Sequence, residues 1–331
     1  MKKILNKPNN VVKEMLQGMV KLSTQIKLLD GHDVVVRAEK VDKVAILSGG
    51  GSGHEPAHAG YVGYGMLDAA VAGNVFASPG ADAVEAALEG VDAGKGVLMV
   101  IKNYSGDIMN FTMAKELAEM EGVTADYVVV KDDVAVPDST YSAGRRGIAG
   151  TVFVHKIAGA KAEAGGTLAE VKAVAQKTID NVRSMGASMA SCVLPGVGKP
   201  GFVLGEDEIE IGMGIHNEPG IERTTMMEAS RLAEILLEKI LEDYDYSNSE
   251  VAVMINGLGG TPLMELYVLY NEVEKILAAK GIKIYRGMAG NYMTSLEMPG
   301  CSVSLLKLDE ELKQLLDAPC NTMGWTQYNV F

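Results

Sequence analysis

The stretch that decides the fold is Val44-Ala45-Ile46-Leu47-Ser48-Gly49-Gly50-Gly51-Ser52-Gly53-His54-Glu55-Pro56, an aliphatic run that passes directly into a glycine-rich loop. The aliphatic run predicts a buried strand. Four glycines within five residues leave backbone amides open to a ligand and tolerate positive φ. Because open α/β sheets bind ligands at the carboxyl ends of their strands, this glycine loop (residues 48–56) predicts a ligand site.

Working outward, further apolar runs alternate with segments of helical period. Buried strands are predicted at residues 34–36, 97–101, 128–130, 251–255 and 302–306. Apolar residues recur every three or four positions at Met109, Met113, Leu117 and Met120, at Leu232, Leu236 and Ile240, and at Leu263, Leu266, Tyr270, Val273 and Leu277. This alternation predicts an α/β protein.

The chain length and one turn-rich segment predict two domains. With 331 residues the chain exceeds the size at which a single core usually stops growing. Residues 183–201 are rich in small residues and turn signals, so we place a boundary before them. We expect an N-terminal α/β domain over residues 1–182 and a C-terminal α/β domain over residues 183–331. Each is expected to hold a mixed or parallel sheet flanked by helices.

Composition excludes several classes of function. A net charge of −13 without a Lys/Arg cluster disfavours nucleic-acid binding. No apolar run is long enough to span a bilayer, and the basic N-terminus meets Pro8 instead of a signal-peptide core, so we expect a cytoplasmic protein. The three cysteines, Cys192, Cys301 and Cys320, are too far apart for a zinc motif and are expected to be reduced and buried.

The glycine loop does not match three familiar motifs. A dinucleotide fingerprint that starts at Gly49, and a nucleophile elbow around Ser52, would both need glycine where His54 stands. A Walker A motif is missing too, because neither Lys95 nor Lys199 is followed by Ser or Thr. The sequence therefore shows no recognisable site for a nucleoside triphosphate.

Polar residues follow the run at 97–101. Lys102 alone would be interpreted as a solvated side chain, and Asp107 is equally consistent with a helix N-cap and with catalysis. The Asp132-Asp133 pair is typical of a solvated turn. Nothing in the spacing of these residues predicts a metal bound by this chain.

Two of the five histidines stand out. For His32, His58 and His155 the ordinary interpretation is a surface or internally satisfied side chain. His54 lies inside the glycine loop, and His216 lies in a second glycine-bracketed turn, residues 212–220. Neutral imidazoles in such places can act as bases or nucleophiles. Together with Asp107 they fit phosphoryl transfer to, or proton transfer from, a small polyhydroxy carbonyl compound.

Five ordered segments carry a family resemblance, and they lie at residues 47–56, 101–107, 141–147, 212–220 and 259–267. Over almost the whole chain, the sequence resembles the dihydroxyacetone kinase family, in its bacterial dihydroxyacetone-binding subunit. The resemblance implies that His216 forms a covalent hemiaminal with the ketose, that Asp107 is the general base, and that His54 assists proton movement. The substrate contacts that it implies are Gly51, Ser52, Gly53, His54, Lys102, Asp107 and His216.

The resemblance also implies an assembly. The chain would bind no cofactor itself, while ADP and Mg²⁺ would lie on a helical partner subunit of the DhaL type. That partner would be recharged from phosphoenolpyruvate through a phosphocarrier subunit of the DhaM type, and the chain itself would form a homodimer. The alternative is a non-catalytic ketose-binding paralogue that acts as coactivator of a transcription regulator. Asn217 stands where glycine is frequent in this family, although Asn tolerates the same left-handed conformation.

Overall fold

Two six-stranded mixed sheets, both flanked by helices, organise the chain in a computed structural model that describes residues 2–136 and 144–328. This confirms the predicted α/β class. In the first sheet the strands are β1 (Ile26–Leu28), β2 (Val34–Arg37), β3 (Ala45–Ser52), β4 (Ala69–Val75), β5 (Val97–Lys102) and β6 (Ala125–Val130). In the second they are β7 (Val182–Ser188), β8 (Glu208–Ile211), β9 (Glu222–Thr225), β10 (Glu250–Gly257), β11 (Lys283–Gly290) and β12 (Gly300–Leu308). A short hairpin of β13 (Cys320–Asn321) and β14 (Thr326–Gln327) follows.

Eight α-helices connect and cover these strands. They are α1 (Val11–Leu22), α2 (Ala81–Val91), α3 (Ser105–Met120), α4 (Thr151–Glu163), α5 (Leu168–Asn181), α6 (Ala229–Asp243), α7 (Leu263–Ala279) and α8 (Glu310–Asp317) among the residues described. None of them is long and apolar enough to cross a membrane. A capping box between Thr167 and Glu170 starts α5, which shows how local side chains fix a helix boundary.

In the first sheet, parallel pairing gathers the candidate residues at one edge. The strand order is β1-β2-β4-β3-β5-β6, and β3 pairs in parallel with both β4 and β5. All eight residues of β3 are buried, which explains its continuous run of apolar and small residues. β3 continues through Gly49, Gly50 and Gly51 to Ser52, so these glycines lie within the strand and not in a loop as the sequence analysis expects. His54 and Lys102 follow the carboxyl ends of the neighbouring strands β3 and β5, at the edge where a ligand site is predicted.

The second sheet brings His216 to that edge. Its order is β11-β10-β12-β7-β8-β9, and His216 lies in the turn between β8 and β9. A shared apolar core joins the two sheets, because Leu98 of β5, Ile157 of α4 and Met254 of β10 belong to one buried cluster. The first strand of this sheet begins at Val182, and the division after residue 182 remains a prediction.

Helix α3 forms where predicted, yet its apolar stripe faces outward. Met109, Met113, Leu117 and Met120 are all exposed. The buried side carries the large Phe111 together with the small residues Ala114 and Ala118, and it packs against the sheet. The spacing of the stripe predicted the helix correctly but did not identify its buried face.

Candidate active site

The glycine loop allows an unusually close approach of the backbone to its neighbours. A Cβ atom on Gly50, whose φ is +148°, would lie 2.5 Å from Lys102 Nζ. A Cβ atom on Gly51 would lie 2.7 Å from the backbone nitrogen of Ala77. Both distances are shorter than van der Waals contact, so side chains at these positions would displace the cation or the segment after β4.

Lys102 and Asp107 form a buried ion pair at the end of β5. Lys102 Nζ lies 3.3 Å from Asp107 Oδ2, and Ser78 donates a hydrogen bond to Asp107 Oδ1. Lys102 has no exposed surface and Asp107 is 2% exposed. The interpretation of Lys102 as solvated is therefore wrong. The N-cap interpretation of Asp107 is wrong too, because Tyr104 is the N-cap residue and the carboxylate points to Lys102 and Ser78.

His54 contacts His216 across the boundary between the two sheets. His54 Nδ1 lies 2.8 Å from the carbonyl oxygen of Thr294, and the two Nε2 atoms of His54 and His216 lie 2.9 Å apart. Burial lowers the pKa of His54 well below its ordinary value, and the nearby His216 and Lys102 act in the same direction. His54 is consequently a neutral imidazole.

Glu218 fixes the other side of His216. Its Oε1 lies 3.0 Å from His216 Nδ1, while its Oε2 accepts the backbone amide of His216 at 2.7 Å. Burial opposes ionisation of Glu218, but His216, these hydrogen bonds and Arg146 outweigh it and lower the pKa of Glu218 to about 2. The histidine therefore faces an ionised carboxylate.

Arg146 clamps the turn that carries His216 and Glu218. Its Nη2 donates to the carbonyl of Gly212 at 2.7 Å, and its Nη1 donates to the carbonyl of Pro219 at 3.4 Å. Its Nε and Nη2 also pair with Asp133 Oδ2, at 2.8 and 2.7 Å. One guanidinium thus ties both ends of the turn to the segment after β6.

Asp132 and Asp133 are both buried, so their interpretation as a solvated turn is wrong. Asp132 accepts the backbone amides of Ile148 and Gly150, each at 2.8 Å. Burial raises the pKa of Asp133 to about 6, and Arg146 limits that rise. Both carboxylates organise the approach to α4 and the His216 turn.

A cavity of about 390 Å³ opens beside these groups. Its lining includes Gly51, Phe76, Ser78, Tyr104, Asp107 and His216. The His216 ring meets Tyr104 edge-on at a centroid distance of 4.5 Å and Phe76 at 5.4 Å. Aromatic walls hold the imidazole while polar groups converge opposite it, which is the arrangement expected of a small-molecule site.

Two predicted substrate contacts have other partners in the structure. Ser52 Oγ donates to the carbonyl of Gly73 at 2.7 Å, and the Gly53 amide donates to Glu55 Oε1 at 3.0 Å. Like the fully buried His54 and Lys102, neither residue is part of the cavity lining, whereas Gly51, Asp107 and His216 are. Ser52 and Gly53 support the loop that carries His54.

A second histidine pair lies under the site. His58 Nδ1 lies 2.9 Å from His155 Nε2, and both residues are buried. Burial lowers the pKa of both, for His155 to about 3. The remaining ring nitrogen of each has no hydrogen-bond partner within residues 2–136 and 144–328. His58 and His155 are thus internal, and His32 is half-buried.

Sequence reasoning missed several residues around His216. Ser78 and Phe76 reach the site only through the fold, and no local pattern marks them, whereas Tyr104 lies within the resembling segment 101–107. Glu218 could have been found, because a carboxylate two residues after a histidine in a tight turn can reach its ring. Of the resembling segment 141–147, Arg145 and Arg146 are described, and Tyr141, Ser142 and Ala143 lie outside the described residues.

No group of three or more His, Cys, Asp or Glu side chains suited to a metal occurs in the described part of the chain. The three thiols of Cys192, Cys301 and Cys320 are free and buried, as predicted.

Comparison with known proteins gives a family match. The Dak1 domain family model matches residues 17–324. The chain is 49% identical to the PTS-dependent dihydroxyacetone kinase 1, dihydroxyacetone-binding subunit DhaK, of Listeria innocua, over 98% of this chain and 100% of that protein. It is 41% identical to the PEP-dependent DhaK subunit of Escherichia coli, over 98% of this chain and 99% of that one.

Solved structures agree with these relatives. The dihydroxyacetone kinase operon co-activator DhaQ superposes with a TM-score of 0.91 at 36% identity, over 95% of this chain and 98% of that chain. The dihydroxyacetone kinase of C. freundii superposes with a TM-score of 0.90 at 36% identity, over 98% of this chain and 60% of that chain.

Proposed function

The chain belongs to the Dak1 domain family, and on that basis we propose that it is the dihydroxyacetone-binding subunit of a multi-subunit, phosphoenolpyruvate-dependent dihydroxyacetone kinase. The observation that carries the proposal is the single cavity whose wall contains Gly51, Asp107 and His216. Gly51 belongs to β3, Asp107 to α3 and His216 to the turn between β8 and β9, so the wall of this cavity draws on both halves of the fold, which supports the proposal. The near-complete coverage of subunits named DhaK supports the same conclusion.

His216 binds the ketose covalently under this proposal. An Nε2 lone pair attacks the C2 carbonyl carbon, the C=O π bond opens, and the oxygen receives a proton to give a hemiaminal. Its Nδ1 is held by Glu218, so Nε2 is the nitrogen that remains for the carbonyl. A carbonyl requirement selects short ketoses and aldehydes over glycerol.

Asp107 then acts as general base. The terminal hydroxyl of the bound ketose forms the new O–P bond, the phosphoryl group leaves its nucleotide, and the hydroxyl proton passes to Asp107. Lys102 beside the carboxylate supplies positive charge near the reacting oxygen. His54 contacts the covalent histidine and assists the proton movement at C2.

The phosphoryl donor comes from another protein. The sequence shows no Walker A motif, and relatives matched over 99–100% of their length are named dihydroxyacetone-binding subunits. We therefore propose a DhaL-type partner that carries ADP and Mg²⁺, recharged from phosphoenolpyruvate through a DhaM-type subunit in the cytoplasm. The bound nucleotide supplies the phosphoryl group, and no cofactor is assigned to this chain, which would act as a homodimer.

A crystal soaked in dihydroxyacetone tests the covalent step. Continuous density from His216 Nε2 to C2 is expected, and ligand that is merely hydrogen-bonded would defeat the covalent assignment. The activity is tested by mixing the chain with DhaL-type and DhaM-type partners and phosphoenolpyruvate. Dihydroxyacetone phosphate should form with the unmodified chain, and His216→Ala should abolish it.

A second candidate function is a ketose-binding coactivator of a transcription regulator. The similarity to the co-activator DhaQ, with a TM-score of 0.91, favours it. Retention of both Asp107 and His54 favours catalysis, because a sensor needs only the histidine that binds the ketose. Ketose binding without turnover, together with a stable complex with a regulator, would establish the coactivator instead.

A further inference from the structure

The hydrogen bonds around His216 determine how many protons its ring carries. Three contacts are relevant: His54 Nδ1 with the Thr294 carbonyl, His54 Nε2 with His216 Nε2, and His216 Nδ1 with Glu218. Each contact of this length needs one proton between its two heavy atoms. The Thr294 carbonyl only accepts, and Glu218 accepts the His216 backbone amide through its other oxygen at 2.7 Å, which favours its carboxylate form, so the two outer protons are assigned to the histidines.

His54 can accept a hydrogen bond from His216. Its Nδ1 carries a proton, since that nitrogen faces the Thr294 carbonyl at 2.8 Å. A neutral imidazole has one N–H, so Nε2 of His54 is a lone pair. Complete burial disfavours a second proton on His54.

His216 must therefore donate from both of its ring nitrogens. Its Nδ1 donates to Glu218, and two lone pairs cannot face each other at 2.9 Å, so its Nε2 donates to His54. A ring with two N–H groups is an imidazolium. The ionised Glu218 carboxylate is its counter-charge.

We propose that Glu218 is a positioning residue that keeps His216 cationic, both in the free protein and in the ketose adduct. The inference rests on the proposed hemiaminal and extends it by assigning the charge of the adduct. In the free protein, the Glu218 carboxylate balances the positive charge of the His216 imidazolium, which donates a hydrogen bond to His54. In the adduct, it balances the positive charge of the His216 ring, in which a bond from Nε2 to C2 has replaced the Nε2–H bond.

The covalent step balances with these groups. The Nε2 proton of His216 moves to His54 Nε2, which frees the lone pair for attack on C2. The N–C bond forms, the C=O π bond becomes an alkoxide, and His54 passes the same proton to that oxygen. His54 returns to its neutral form, and the substituted ring keeps its Nδ1–H and its positive charge beside Glu218.

The surroundings hold Glu218 in place for this role. It is 2% exposed, and a Cβ atom on Gly214 would lie 2.1 Å from its Oε2. Arg146 is close enough to help keep Glu218 ionised. The titratable and charged groups that surround the histidine pair are Lys102, Tyr104, Asp107, Asp133, Arg146 and Glu218.

The test measures ring protonation directly. In protein labelled with ¹⁵N-histidine, the ¹⁵N shifts of His216 report whether one or both nitrogens carry protons. We expect two protons in the unmodified protein at neutral pH and one in Glu218→Gln, because glutamine can donate to Nδ1. The matched control is Glu210→Gln, which removes the buried carboxylate that accepts the Gly220 amide in the same turn, and should leave two protons.

The adduct is measured with dihydroxyacetone labelled with ¹³C at C2. The hemiaminal signal should need about 10- to 100-fold more ketose in Glu218→Gln, as expected for losing a charged hydrogen bond. A singly protonated His216 in the unmodified protein, or an unchanged adduct in the folded variant, would overturn the inference. If Glu218→Gln does not fold, the spectrum of the unmodified protein still decides. If no adduct forms in the unmodified protein, the covalent proposal fails, whereas the ring charge still tests Glu218.

Discussion

At the scale of single residues, the proposed role of Asp107 as general base can be tested by one substitution. Asp107→Asn keeps the shape and the contact with Ser78 but removes the base. We expect turnover to fall by about 10²- to 10⁴-fold while ketose binding persists, since general base catalysis contributes that much. Product formation with the partner subunits gives the first quantity, and titration calorimetry gives the second.

Asp126→Asn is a suitable control for that prediction. Asp126 pairs with Lys172 on a partly exposed surface of the first sheet, so its loss should leave both quantities unchanged. Equal turnover in Asp107→Asn and the control would contradict the assignment of the base.

Asn217 offers a second prediction at this scale. Its φ is +62°, the left-handed conformation that the sequence suggested, and its Oδ1 accepts from Ser191 and Cys192. Asn217→Gly should change the free energy of unfolding little, whereas Asn217→Ala should cost about 1 to 2 kcal/mol, because alanine is strained there. Urea unfolding of each variant measures this difference.

Asn248 is a matched control for Asn217, because it has the same left-handed backbone conformation at another place in the chain. Its φ is +53° and it is exposed, far along the chain from the His216 turn. Asn248→Ala should therefore lower stability without altering ketose affinity, while Asn217→Ala should alter both. The same affinity loss in both variants would show that strain alone, not the contacts of Asn217, affects the site.

Single residues also show where sequence reasoning reaches its limit. A glycine-bracketed turn marked His216, and a strand end marked Lys102, because those signals are local. The meeting of His54 with His216, 162 positions apart, depends on how two sheets pack and has no local signal. Asp133 was misjudged for the same reason, since Arg146, its buried partner, lies 13 positions later in the sequence.

At the scale of elements, α3 allows a direct test of which face is structural. Phe111 is fully buried and Met113 is 49% exposed, although the period of the sequence singled out Met113. Phe111→Ala should destabilise the protein by about 3 to 5 kcal/mol. Met113→Gln should change stability by less than about 0.5 kcal/mol, as is usual for surface positions.

Urea unfolding monitored by circular dichroism compares the two variants of α3. A large loss in Met113→Gln would mean that the stripe is covered in solution, which would contradict its exposure in the chain alone. The apolar stripe does not mark the buried face for a physical reason: small residues such as Ala114 and Ala118 let the helix approach the sheet closely. Hydrophobic size is therefore a poor guide to its buried face.

Strands were predicted more reliably than helix faces. All six apolar runs became strands of the two sheets, because burial on both faces requires continuous apolar residues. β8 and β9, which hold the His216 turn, were not predicted, since Glu208–Ile211 and Glu222–Thr225 lack such a run. Their pairing is set by β7 and by Arg146, both distant in sequence.

For the whole molecule, buried histidines predict a loss of stability in mild acid. Burial lowers the pKa of His54, His58 and His155, for His155 to about 3. Below the unfolded value of about 6.5, the unfolded chain binds protons that the native state excludes, so their stabilising contribution is complete above about pH 6.5 and falls as the pH drops towards 3. His155 alone should account for about 2 kcal/mol between pH 6.5 and pH 5.

The variant His155→Gln isolates this contribution. Asp133, with its pKa raised to about 6, acts in the opposite direction but is present in both proteins and cancels in the difference. We therefore compare the free energy of unfolding of the unmodified protein with that of His155→Gln. The difference between the two should decline by about 1.4 kcal/mol per pH unit below pH 6.5. Urea unfolding at several pH values measures it, with the half-buried His32→Gln as control. A difference that does not change with pH would mean that His155 binds a proton as readily in the native state as in the unfolded chain. Its buried contact with His58 would then contain a positive charge in mild acid.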